Sequence, residues 1–218
     1  MQTEMAILMA DLSGYTAMTE MHGPQSAAEI INRYLELADK AMYGSSRLLE
    51  RVGDQLVIVS PNANDLAVTA LQLLEYCAHE PNFLPVHAGL HYGTIIEQGG
   101  SFYGSVMNVT ARIAAKAKDG SILCSAEFME KANSEGVFNF KVTDKVKLKN
   151  ILHPVTLVEL LPGEKFATVN KTTDPVCLMQ VDKSTGFHYV YNDHHYYFCS
   201  DQCLQVFRHD PEVILNRE

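Results

Sequence analysis

The chain opens with an unbroken apolar block, Ala6 to Ala10 in "MAILMADLSGYT", that stops on Asp11. A continuous apolar run, rather than an alternating one, predicts a strand covered on both faces. The pattern then turns helical. In "PQSAAEIINRYLELADKAMYG", Ile30, Ile31, Tyr34, Leu35, Ala38, Ala41 and Met42 recur at helical spacing, with Pro24 suited to the first turn and Gly44 to the end. "SRLLERVGDQLVIVS" predicts a hairpin of two short strands around Gly53-Asp54. "ANDLAVTALQLLEYCAHE" predicts a second helix, with Asn64 or Asp65 near its start. "PVHAGLHYGTIIEQGG" predicts two strands joined near Gly93, and "GSVMNVTARIAAKAKDG" a third helix ending at Gly120. The strand "SILCS", the short helix "AEFMEKAN" and a closing strand pair, "FNFKVTDKVKLKN" with "PVTLVELL", complete the pattern. Helices interleaved with strand pairs predict an α+β class, a ferredoxin-like split βαβ sandwich.

The pattern breaks at "PGEKFATVNKTTDP", which is polar and short of periodic apolar positions. The expected organisation is therefore a first domain over 1–163, a linker over 164–173 and a second domain over 174–218. The second is dense in Tyr, Phe, His and Cys and too short for a large core of its own, so a metal or another staple is expected there.

Composition narrows the function classes. The 218 residues are 47% hydrophobic and 20% charged, ordinary for a globular protein. No apolar run approaches the ~18 residues that span a bilayer, and no basic segment precedes an apolar one at the N-terminus. The expected location is cytoplasmic, with no membrane partner. The net charge of −9, with acidic residues in excess in both domains, argues against nucleic-acid binding. Five cysteines, an odd number, suit a reducing compartment. Cys77 and Cys124 stand alone and read as buried thiols.

Candidate chemistry falls in two places. A carboxylate ending a buried strand is costly without compensation. Asp54 sits at the hairpin apex, and pairing of that hairpin beside the first strand brings it to Asp11. Two carboxylates supply hard oxygen ligands for magnesium or manganese, which bridge polyphosphates and activate attacking oxygens. The loop Leu12, Ser13, Gly14, Tyr15, Thr16 leads into a helix, where backbone amides cradle phosphate. The second place is the tail. Cys199 and Cys203 have i, i+4 spacing and Cys177 returns to them from upstream. Three thiolates suit zinc or copper(I). The expected fourth donor is His195 or its neighbour His194, or else an open position.

Four fragments in register, "MADLSGYTAMTE", "ERVGDQLVIVS", "VHAGLHYGTIIEQGGSFYGSVMNVTARIAAKAKDGSILCS" and "VKLKNILHPVTLVEL", make residues 5–161 resemble the catalytic domain of class III adenylate and guanylate cyclases. The resemblance implies conversion of ATP or GTP to a 3′,5′-cyclic nucleotide plus pyrophosphate, at sites shared by a head-to-tail homodimer. It makes Asp11 and Asp54 the metal-binding aspartates. It makes Asn108 the residue that orients the ribose, and Arg112 the one that offsets growing phosphate charge, both contributed by the partner protomer. Their spacing of four sets both on one helix face. Lys149 matches the phosphate-binding lysine.

Base selection in that family uses the positions of Glu50 and Ser101. A carboxylate only accepts hydrogen bonds, and guanine offers N1–H and a 2-amino group, so Glu50 leans toward GTP. Ser101 suits either base. The tail pieces "DPVCLM", "YYFCSDQC" and "DPEVIL" resemble the YHS domain, a small module of metal-handling proteins, with Leu178 where glycine is usual. The leading expectation is a metal-dependent cyclase regulated through this module. The alternative is an inactive cyclase-fold protein that binds nucleotide and senses metal.

Overall fold

The computed structural model describes residues 2–98, 101–132, 136–163 and 171–216. The first four strands and two helices are β1 (Gln2–Leu12), α1 (Tyr15–Ala41), β2 (Arg47–Val52), β3 (Gln55–Ser60), α2 (Ala63–His79) and β4 (Val86–Gln98). Their order in the sheet is β2-β3-β1-β4, with every neighbouring pair antiparallel. That is the split βαβ arrangement expected from the pattern. There follow β5 (Ser101–Tyr103), α3 (Ser105–Ala114), β6 (Ile122–Ser125), α4 (Ala126–Lys131), β7 (Phe138–Val146) and β8 (Val155–Pro162). They extend the sheet as β4-β6-β8-β7, with β6 parallel to β4 and β5 hairpinned onto β4.

The apolar block of β1 is buried from both sides, as its unbroken pattern requires. Ala6, Leu8, Ala10 and Leu12 face α1 and α2, meeting Tyr34, Leu37, Leu66 and Ala70. Ile7 and Met9 face the other way, toward Val57, Val59 and α3 through Val106 and Ala114. α3 lies so close on β4 that a Cβ at Gly89 would come within 2.3 Å of the Ala114 nitrogen. Helix starts are fixed locally. Asn62 accepts from the Asn64 amide at 2.9 Å to cap α2, and Ser125 accepts from Phe128 at 3.2 Å to cap α4.

Three predicted boundaries change. β4 is one strand, not two: Gly93 sits opposite Met5 in an uninterrupted ladder with β1, so this glycine marks no turn. α3 ends at Ala114 rather than Gly120, the remaining residues forming turns stabilised by Lys116 and Ala117 amides bonded to Ile113 and Ala114 carbonyls. α1 begins at Tyr15, well before Pro24. It is two helical pieces joined at Gly23, whose φ of 82° and ψ of 174° are not helical, with Pro24 starting the second piece as a first-turn proline should.

The tail forms β9 (Lys171–Thr173), β10 (Gln180–Asp182), β11 (Phe187–Tyr191), β12 (His194–Phe198), α5 (Asp201–His209) and α6 (Pro211–Leu215). Residues 171–173 of the expected linker are thus strand, and 164–170 lie outside the described residues. Nor does the tail rely on a core of its own. Val176, Met179, Phe198, Phe207 and Ile214 join the same apolar cluster as α1 and α2. The Gln180 amide donates to the Phe83 carbonyl at 2.7 Å, and Lys171 Nζ donates to the Glu80 carbonyl at 2.6 Å.

Candidate functional site

β1 carries Asp11 to the end of the sheet, and the β2–β3 turn carries Asp54 there, beside left-handed Gly53. The Oδ1 atom of Asp11 is buried and has no hydrogen-bond partner. Burial first, and then the Asp54 carboxylate, push the Asp11 carboxyl above its ordinary value. His87, opposite Asp11 in the β1–β4 register, brings Nε2 to 4.0 Å from Asp11 Oδ2 and shares a 2.9 Å hydrogen bond with Ser13 Oγ through Nδ1. Two crowded carboxylates with one oxygen orphaned fit a hard divalent cation better than they fit each other.

The loop after Asp11 divides in two. Ser13 is already engaged, its amide donating to the Pro85 carbonyl at 2.8 Å. The expected cradle therefore narrows to Gly14, Tyr15 and Thr16, whose amides open α1 with no side-chain cap. Gly14 takes φ 83°.

On the opposite sheet face from α1 and α2, Asp11 follows Ile7 and Met9 by the strand period of two. Glu50, paired with Val57, shares that face and is exposed on β2. Ser101 opens β5, but its side chain lies outside the described residues. Asn108 and Arg112 are both on α3, and both are exposed. Arg112 and Lys149 meet at a cavity of about 390 Å³ that Lys116 and Lys147 also line. The segment holding Lys149 is pressed onto α3 by Leu148, Val109 and Ile113. Among the described residues, no hydrogen bond or ion pair joins Asn108 or Arg112 to Asp11 or Asp54.

The tail's thiols converge as expected, but with a different fourth donor. Cys177 Sγ is 3.4 Å and Cys203 Sγ 3.7 Å from Cys199 Sγ, and His22 Nε2 lies 3.5 Å from both Cys199 and Cys203. His195 is not in the cluster: its Nδ1 is 2.8 Å from His188 Nε2, the two rings stacked across the β11–β12 ladder. His194 is turned to the Asn192 carbonyl at 2.7 Å. Hydrogen bonds from Cys177 and Cys203 hold the Cys199 thiol well below its ordinary value, while Cys177 is pushed up by sharing that bond. Asp174 fixes the two chain segments involved, Oδ1 accepting from the Val176 amide at 2.8 Å and Oδ2 from the Cys199 amide at 2.9 Å. Four donors of this kind suit a soft or borderline metal ion. Cys77 and Cys124 are buried, as read, and burial pushes both thiols up.

The sequence pattern does not single out His22 or His87. Neither has a local signature, since one is brought in by domain packing and the other by strand register.

Among known proteins, the family model for the adenylate and guanylate cyclase catalytic domain matches residues 1–160, and that for the YHS domain matches residues 172–218. An uncharacterised protein of Mycobacterium tuberculosis is 30% identical over 122 residues, covering 56% of this chain and 32% of that protein. An adenylate cyclase of Streptomyces coelicolor is 26% identical over 127 residues, covering 58% of this chain and 33% of its own length. The chain thus spans about a third of the curated relatives it matches. The solved adenylyl cyclase CyaB of P. aeruginosa superposes with a TM-score of 0.65 at 17% identity, covering 77% of this chain and 98% of that one, a likeness of fold. Among the described residues, no helix is long and apolar enough to cross a membrane.

Proposed function

This chain belongs to the adenylate and guanylate cyclase catalytic-domain family, and from that premise we propose that it converts a purine nucleoside triphosphate into the 3′,5′-cyclic nucleotide and pyrophosphate, at a site shared by two copies of the chain. The observation that carries the reading is the buried, partnerless Oδ1 of Asp11 beside Asp54, at the strand end where the family binds its cations. Asp11 and Asp54 hold Mg2+ or Mn2+, which when bound supplies Lewis acidity toward the ribose 3′-hydroxyl and neutralises the triphosphate.

The chain's own groups position the rest. The amides of Gly14, Tyr15 and Thr16 receive the phosphates at the start of α1. The ribose 3′-oxygen attacks the α-phosphorus as its proton leaves, and the bond to the β-phosphate oxygen breaks. Asn108 orients the ribose, Arg112 meets the charge that grows on the phosphate, and Lys149 adds to the same basic cavity. Asn108 and Arg112 lie exposed on α3, where a second copy of the chain can receive them, and the family resemblance assigns both to the partner's site in a homodimer. The family resemblance assigns base selection to the positions of Glu50, exposed on β2, and Ser101. Glu50 alone leans to GTP, a lean the relatives do not support, since those with an assigned activity are named adenylate cyclases.

Product analysis with ATP and with GTP, in Mg2+ and in Mn2+, tests the proposal. The wild type yields cyclic nucleotide and pyrophosphate, and Asp54→Ala lowers the rate at least about a hundredfold. Absence of cyclic product from both nucleotides, with binding intact, overturns it in favour of a nucleotide-binding protein without turnover.

A further inference from the structure

The cysteine cluster is incomplete within its own module, and the missing donor comes from the cyclase domain. All four ligand atoms of His22, Cys177, Cys199 and Cys203 lie within 4.8 Å of one another. A regular tetrahedron with ordinary Zn–S and Zn–N bonds has S···S edges of about 3.8 Å and S···N edges of about 3.6 Å. The closest separations here, 3.4 and 3.7 Å between sulfurs and 3.5 Å twice from sulfur to nitrogen, are near those edges. The shell behind them is also built. Asp174, fully buried, ties the Cys177 and Cys199 segments together, and Ser200 Oγ accepts from the Cys203 amide at 3.2 Å to start α5. An open cavity of about 360 Å³ reaches His22 and Cys199 between Glu29, Glu80 and Ser200, which gives an ion a way in.

Two features link this cluster to the loop after Asp11. His22 ends the first piece of α1, one residue before the break at Gly23. Leu178, next to Cys177, takes φ 66°, a backbone conformation that normally belongs to glycine. Its side chain reaches Gly14, where an added Cβ would lie 2.6 Å from Leu178 Cβ. Both ends of the short helical piece that starts at Tyr15 are therefore held by the tail.

From this geometry we infer that His22, Cys177, Cys199 and Cys203 bind one tetrahedral zinc-class ion that clasps the tail to α1, and that its occupancy orders the segment 12–22 following Asp11. Four donors that include an imidazole favour Zn2+ over copper(I). The consequence for catalysis rests on the cyclase reading above; the clasp itself does not.

Reduced, metal-free full-length chain titrated with Co2+, then challenged with Zn2+, reads the site through tetrahedral d–d bands and thiolate-to-cobalt charge transfer. One Co2+ per chain gives these bands, and Zn2+ displaces it. His22→Ala weakens binding at least about tenfold and alters the bands, His22→Cys restores four-donor binding, and His195→Ala matches the wild type. A His22→Ala protein with wild-type affinity and spectrum overturns the assignment, as does equal loss in His195→Ala. Hydrogen exchange of 12–22 reads the coupling: Zn2+ slows it at least about tenfold in the wild type and not in His22→Ala. Exchange that ignores Zn2+ overturns the coupling. Asp54→Ala keeps the cobalt bands and the protection, so a failed cyclase assay and a failed clasp are told apart.

Discussion

At the end of β1, two carboxylates crowd each other and leave an oxygen unsatisfied, whereas at His22, Cys177, Cys199 and Cys203 each donor lies within hydrogen-bond reach of another. The first set is strained as it stands, the Asp11 carboxyl pushed up by burial and by Asp54. The second is preformed, its thiols sharing hydrogen bonds among themselves. Hard oxygen ligands held apart by repulsion suit exchange, and soft ligands already gathered suit retention. If both proposed sites bind cations, the contrast lets a single chain carry them without their metals competing.

The largest effect expected from breaking the contrast is on the retained site. Cys203→Ser in Zn2+-loaded protein removes a buried donor, and loss of a structural ion is worth several kcal/mol. Thermal melts of the variant fall by about 10 °C; a drop of under about 2 °C would mean that the cluster holds no ion that matters to the fold.

Asp11→Asn acts in the opposite sense. The Asp11 carboxyl has its pKa raised by burial and by Asp54. The stability linked to it is fully present below the carboxyl's ordinary value of 3.8 and is lost as pH rises through the raised one. At neutral pH, without added Mg2+ or Mn2+, the asparagine variant melts about 2–4 °C higher than the wild type, and this gain shrinks as the solution is acidified. Added Mn2+ then stabilises the wild type alone. A variant less stable at neutral pH than its parent would show that the carboxylate is not strained there.

The smallest effect lies in the bridge between the sites. Gly14→Ala meets Leu178 and also places a side chain at φ 83°. Leu178→Gly releases a left-handed leucine but loses its packing, and the two nearly cancel. Urea unfolding of both single variants and the double gives a coupling energy of about 1 kcal/mol. The cost of holding an alanine in the left-handed region at position 14, about 1 kcal/mol, remains in the double. Additive effects would deny that the two residues press on each other.

What could be read in advance was whatever depends on short separations along the chain. Asp11 at a strand end, Asp54 at a hairpin apex, Asn108 and Arg112 four apart on a helix, and Cys199 with Cys203 each announce themselves within one element. The split βαβ order followed for the same reason, because alternating element types restrict the sheet to few topologies. His22 could not be found this way. It lies 177 residues from Cys199, ends a helical piece with no unusual composition, and is one of nine histidines. His195, by contrast, stood in the right stretch of sequence but on a β-hairpin whose register pairs it with Val190 and stacks it on His188. Gly93 misled for a related reason: a glycine in an apolar run reads as a turn until a neighbouring strand is known to continue past it.

The break in α1 bears on how the chain can be cut. Residues 15–22 make up little more than two helical turns, well below the length at which an isolated helix sustains itself against the cost of nucleation. Met18 packs into the core from that piece, but its far end is gripped through His22 and its near end through Gly14, both by residues of the tail. Removing everything after residue 163 would therefore not deliver a free-standing catalytic domain. It would leave the first turns after Asp11 to fray, and a dead truncation would report a severed structural member rather than a lost regulator.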